Sequence, residues 1–307
     1  MHTLKKPAFR QTVFQDELTQ AEPLTPMQDM IDCFVTWAQL RPDVRAGIVL
    51  GSWARNDLPA DHLSDLDLVV IVSDPSVFLS EASWLHTFGE PCLTFVEPTA
   101  VGNFRERRVS FRDGRDIDFS IVPVVAIQQM ILQQIPLEIA DVFRRGFRIL
   151  VDKDHLAERF TDSALWPEKA DKLPTRLTWH ETGHDFLFHV LLAAKKARRG
   201  ELWVATRSCN GYLQNLLLRL MEWHAKAKGH SDSWHEGRFL ERWAESDVLK
   251  ALPDTFAKYA LEDIQRALMA NLHFYEKFGR EVANAFGYDF PEEAYSFAAE
   301  QLKQLVR

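Results

Sequence analysis

Asp65 and Asp67 stand one residue apart at the head of an aliphatic run, DLDLVVIV, and a bare Gly51-Ser52 pair precedes them by about a dozen residues. In a strand, residues i and i+2 face the same side, so the two carboxylates project together while Leu66 and Leu68 face a core. Adjacent carboxylates repel and raise each other's pKa unless a cation shares them. A divalent metal resolves that conflict, and hard oxygen donors suit Mg²⁺, which keeps its other positions for water and substrate phosphates. A later segment, RDIDFSIVP, repeats the i, i+2 pattern with Asp116 and Asp118. If it lies beside the Asp65 strand, one of them completes a cluster of three. Asp118, between Ile117 and Phe119, is the better candidate, because Asp116 adjoins a turn and reaches solvent. Gly51 lets the backbone approach a phosphate, Ser52 supplies a hydroxyl donor, and Arg55 adds a cation near a leaving group.

These residues need a sheet to hold them. PMQDMIDCFVTWAQL reads as a helix, RAGIVL as a short strand, and DLDLVVIV as a strand from its β-branched density. A helix is expected over PSVFLSEASWLHTF, then strands at PCLTFVEP, RRVSFRD and RDIDFSIVP, the last two joined by an Asp-Gly hairpin turn. A helix, VVAIQQMILQQ, and a strand, FRILVDKD, follow. Beyond the Pro-punctuated TDSALWPEKADKLPTR the pattern is helical throughout, with Gly200 and Gly229 placed to end helices. The expected architecture is therefore an α/β domain with a mixed sheet, residues 1–158, followed by an all-α domain, residues 159–307, with the active site in the cleft between them.

Composition narrows the function. The chain has 307 residues, of which 46% are hydrophobic and 26% charged, enough to bury a real core. A net charge of −8 argues against nucleic acid as a partner, since phosphate backbones need clustered Lys and Arg. The Arg-rich FRERRVSFRDGR is read as a solvated face. Three scattered cysteines form neither a disulfide framework nor a metal knuckle. No apolar run approaches the ~20 residues of a membrane span. MHTLKKPAFRQTVFQDEL lacks the apolar middle of a secretory signal, so a cytoplasmic protein, working as a monomer, is expected.

Gly-Ser, then Asp-x-Asp in an aliphatic strand, then a third Asp on a later strand resembles the polymerase β nucleotidyltransferase superfamily. The longer stretches TFVEPTAVGNFRERRVSFRDGRDIDFSIVP and RRGELWVATRSCNGYLQNLLLRLMEWHAKA resemble the aminoglycoside 6-adenylyltransferase (streptomycin adenylyltransferase) family, and the similarity runs from about Ile31 to the C-terminus. The resemblance implies transfer of AMP from ATP to an aminoglycoside hydroxyl, hence antibiotic resistance. It gives Asp65 and Asp67 to metal and nucleotide, and Asp118 to the metal or to the acceptor's proton. A different acceptor, whether a metabolite, a protein or an RNA, remains open within the same chemistry.

One rival motif lies in the second half. His180, Glu181 and His184 spell H-E-x-x-H, a zinc-hydrolase pattern on a helix. Gly183 inside it, and Asp185 directly after, weaken that reading. An amphipathic helix offering Glu181 and Asp185 to the amino or guanidino groups of a cationic aminoglycoside fits better, with Trp179, Trp203 or Trp223 stacking on the ligand or lying in the core.

Overall fold

The computed structural model describes residues 27–168, 173–230 and 233–306. The N-terminal stretch on which the absence of a secretory signal was read lies outside them. Contacts divide the chain into two compact units between residues 170 and 171. The division comes later than the sequence pattern suggests, because the helical turn Glu158–Thr161 buries Phe160 against Phe143, with ring centroids 5.1 Å apart.

The first unit contains α1 (Met27–Leu40), β1 (Val44–Val49), β2 (Leu66–Val72), α2 (Pro75–Ser80), β3 (Pro91–Pro98), β4 (Arg105–Phe111), β5 (Asp116–Pro123), α3 (Val124–Leu132), α4 (Leu137–Phe143) and β6 (Arg148–Asp152). The six strands form one sheet in the order β3-β4-β5-β2-β1-β6, and β2 runs parallel to β5 in an otherwise antiparallel arrangement. β2 is buried on both faces, as its unbroken Val69–Val72 run requires. Leu66, Leu68, Val70 and Val72 pack with Phe34, Trp37, Phe78 and Phe119, while Val69 and Ile71 join Ile48, Val122 and Ile139 on the opposite side.

Two elements depart from the sequence pattern. The expected helix over residues 75–88 is two pieces, α2 and a helical turn, Ser83–Thr87, because Glu81 is extended and the Trp84 indole donates to the carbonyls of Glu81 (3.0 Å) and Phe78 (3.3 Å). α4 went unread, being only seven residues long.

The second unit is helical: α5 (Arg176–Arg198), α6 (Leu202–Arg207), α7 (Leu213–Ala227), α8 (Leu240–Trp243), α9 (Ser246–Ala251), α10 (Leu261–Phe286) and α11 (Glu292–Leu305). The expected helix after Gly200 is α6 and α7 joined by a π-helical turn, Ser208–Tyr212. Asn210 in that turn is tied sideways to Ala257, donating to its carbonyl (2.7 Å) and accepting from its N–H (2.8 Å), which favours the wider turn. No helix of the described residues is long and apolar enough to cross a membrane.

Gly183 sits where α5 meets the Tyr275 hydroxyl of α10, and a Cβ there would overlap that oxygen. Replacing Gly by Ala favours a helix by about 1 kcal/mol, whereas overpacking a buried contact costs about 1–3 kcal/mol. Tyr275 is buried with its ring stacked on Phe186, so it has little room to retreat. Gly183→Ala is therefore expected to destabilise the helical unit by up to ~2 kcal/mol, read as a lower urea midpoint at an unchanged m-value.

Candidate active site

The parallel register sets Asp67 directly opposite Asp118 on the neighbouring strand. Asp65 lies in the loop that enters β2, one residue before the strand begins. Each of the three offers a carboxylate oxygen, and these oxygens lie within 4.8 Å of one another. Among the described residues this is the only set of three or more His, Cys, Asp or Glu side chains so placed. Asp116, at the head of β5 opposite Ser110, is outside it.

Gly51 begins the helical turn after β1, and Leu50 donates its N–H to the carbonyl of Asp67 (3.0 Å), which locks this turn to β2. Gly51 has φ +65, and a Cβ there would overlap Oδ2 of Asp67. The glycine is thus required twice, by its backbone and by the carboxylate pressed against it. Ser52 is buried, and its Oγ has no hydrogen-bond partner among the described residues. A buried hydroxyl with no partner, on the residue after the glycine that touches Asp67, is a group a polar ligand could satisfy. Arg55 donates Nε–H to the carbonyl of Leu58 (2.8 Å).

Asp118 is buried, and its pKa is pushed up to about 7. Burial is the largest cause; Arg108 opposes it, and the charges of Asp65, Asp67 and Glu106 add to it. A proton would compete with any divalent cation held by this carboxylate. At subsaturating Mg²⁺, activity is expected to fall about tenfold per pH unit below pH 7, and raising Mg²⁺ to move the fall to lower pH. A pH–rate series at two Mg²⁺ concentrations reads both.

The sequence reading missed the groups around Asp118. Arg107 is buried, not solvated, and donates to the carbonyls of Phe78 (2.9 Å) and Leu79. Arg108 lies opposite Asp118, with Nε 3.3 Å from its Oδ2, and also pairs with Glu97 and with the buried Glu106. The hairpin turn fixes that register, so counting back from Asp113-Gly114 would have found it.

In the helical unit, His180 and His184 stack at 4.0 Å between ring centroids, and Glu181 is exposed. Burial and then the His180 charge push the His184 pKa down. Asp185 accepts from the Tyr212 hydroxyl (3.0 and 3.2 Å) and lies 2.6 Å from Nδ1 of His189. Trp179 is a core residue, 3% exposed, its indole donating to the carbonyl of Asp289 (3.0 Å), so the ring face proposed for a ligand is covered by the helical core. Trp223 is also buried, whereas Trp203 is exposed.

The first unit thus gathers three carboxylates beside a glycine turn on a mixed sheet, and a helical unit follows it in the chain. The chain belongs to the streptomycin adenylyltransferase family, whose model matches residues 25–305. The aminoglycoside 6-adenylyltransferase of Bacillus subtilis is 23% identical over 279 residues, covering 86% of this chain and 93% of that protein. The corresponding enzyme of Staphylococcus aureus is 22% identical over 277 residues, covering 86% and 93%. The crystal structure of an aminoglycoside 6-adenyltransferase from Bacillus subtilis aligns with a TM-score of 0.44 at 19% identity, covering 91% of this chain and 97% of that one.

Proposed function

We propose that this protein is a Mg²⁺-dependent nucleotidyltransferase that moves AMP from ATP to a hydroxyl of an aminoglycoside, with streptomycin the first acceptor to test. The observation that carries the reading is the convergence of Asp65, Asp67 and Asp118, with Gly51 against Asp67. Family membership and the names of the relatives support the acceptor class.

The donor set fits a hard divalent cation, all three ligands being carboxylates. Asp65, Asp67 and Asp118 would hold Mg²⁺, which when bound neutralises triphosphate charge. Gly51 leaves space for phosphate oxygens against the backbone, Ser52 donates its hydroxyl to one of them, and Arg55 supplies positive charge near the departing pyrophosphate. The acceptor oxygen attacks the α-phosphorus, the bond from that phosphorus to the bridging oxygen of the β-phosphate breaks, and pyrophosphate leaves with the electron pair. The acceptor's proton passes to solvent or, should Asp118 serve as base in place of cation ligand, to its carboxylate.

We assign acceptor recognition to the helical unit. Glu181 and Asp185, one turn apart on α5, present carboxylates to cationic groups, and the Tyr212 hydroxyl orients Asp185. The zinc reading of His180 and His184 has no support from a third ligand among the described residues. The test is product analysis: Mg²⁺, ATP and a panel of aminoglycosides, with mass spectrometry for an AMP adduct and NMR to locate the modified hydroxyl. An adduct on streptomycin supports the reading in full. Adducts on no member of the panel would overturn the acceptor assignment.

A further inference from the structure

Two rows of paired residues, polar but for Phe95, cross the sheet on the face that carries the carboxylates. One runs Phe95, Arg108, Asp118, Asp67 across β3, β4, β5 and β2; the next runs Glu97, Glu106, Ser120 across β3, β4 and β5. Arg108 stands at their centre. Its guanidinium meets Glu97 at 2.7 Å, Glu106 at 2.9 Å and Oδ2 of Asp118 at 3.3 Å, and Ser120 closes the group by donating to Oε2 of Glu106 at 3.4 Å.

A phosphate-binding arginine is the obvious assignment, and the electrostatics argue against it. One guanidinium set among three carboxylates is a net negative group and offers a triphosphate no attraction. A purely stabilising ion pair is an equally poor account, because the Arg108 side chain is 44% exposed, and exposed pairs contribute at most about 1 kcal/mol. The arrangement does suit orientation. Glu106 is buried on the strand beside Asp118 and holds Arg108 from the other side, so the guanidinium cannot follow Asp118 if that carboxylate turns.

Resting on the nucleotidyl-transfer reading above, we infer that Arg108 is a positioning residue for Asp118, bracketed by Glu97 and Glu106, which anchors Oδ2 and leaves the other oxygen to face Asp65 and Asp67. It acts through Asp118 and touches neither ATP nor the acceptor. Groups that orient a metal ligand typically contribute about 10–100-fold to metal affinity or activity.

The experiment combines steady-state kinetics with Mn²⁺ binding followed by electron paramagnetic resonance, on the full chain. For Arg108→Gln, kcat is expected to fall about 10–100-fold with KM for ATP changed less than about threefold, and Mn²⁺ to bind more weakly. Arg108→Lys, which keeps the charge but not the fork, is expected to recover part of both. If Arg108→Gln alone does not fold, because Glu106 is left buried and unpaired, the double variant Glu106→Gln/Arg108→Gln removes the bracket neutrally and should show the same signature. A raised KM for ATP at unchanged kcat would make Arg108 a phosphate ligand and overturn the inference. So would unchanged kinetics, or tighter Mn²⁺ binding, which would mark Arg108 as no more than a repelling charge. Should the wild type transfer no AMP, the functional reading fails, and the Mn²⁺ titration still decides for or against Arg108.

Discussion

Asp67→Asn is expected to lower AMP transfer by about 10²–10³-fold, the scale lost when one preorganised electrostatic group is removed from a site of developing charge, while the chain stays folded. Asp67 is the hub of the cluster: it pairs in register with Asp118, shares a face of the chain with Asp65, and has Gly51 against its Oδ2. The amide keeps the shape but loses the charge that would hold a metal, so the loss falls on catalysis. Stability should move the other way. The carboxylates repel one another in the metal-free protein, and neutralising one relieves the other two. The melting midpoint of metal-free Asp67→Asn is therefore expected to equal or exceed that of the wild type. Thermal denaturation in EDTA beside an activity assay in Mg²⁺ checks both halves, and a variant that lost activity by unfolding would show the opposite shift.

Gly51→Ala is the second large effect, expected to lower activity about 10²-fold, the scale of a catalytic group displaced by about 1 Å. The added methyl would overlap Oδ2 of Asp67, and φ +65 disfavours any side chain. The backbone cannot move away freely, because Leu50 is bonded to the Asp67 carbonyl in the same turn. Asp67 must rotate instead, carrying its oxygen off the cluster. Weaker Mn²⁺ binding together with lost activity is the expected pair of results. Unimpaired metal binding would mean that the methyl obstructs only the phosphate.

Much of this site is legible in the sequence. Asp-x-Asp before an aliphatic run brought the two carboxylates to notice; β2 does bury Leu66 and Leu68, although Asp65 lies in the loop that enters it, outside the strand whose periodicity was expected to place it. The choice of Asp118 over Asp116 followed from apolar flanks, and in the structure Asp118 joins the cluster while Asp116 stays outside it. What was not read was what strand register and distant contacts set, although the hairpin register could have been counted from its turn. Arg108 looked like one cation in a solvated run, and only the hairpin alignment places it against Asp118. Arg107, its neighbour, points to the opposite face and is buried, an alternation that the charge count of the segment hides. The π-helical turn was illegible for a similar reason. Its cause is Asn210 reaching Ala257, more than forty residues away along the chain. Trp179 shows the limit of residue type as a guide: an aromatic side chain suits a sugar face or a core equally well, and here the indole's bond to the Asp289 carbonyl holds it in the core.

The most direct test of the central claim is pyrophosphate release from ATP in the presence of Mg²⁺, with and without streptomycin, for the wild type and Asp67→Asn. Release that requires Mg²⁺, the acceptor and Asp67 together is the result predicted. Release by Asp67→Asn at the wild-type rate would contradict it, since the chemistry would then lie somewhere other than the three carboxylates.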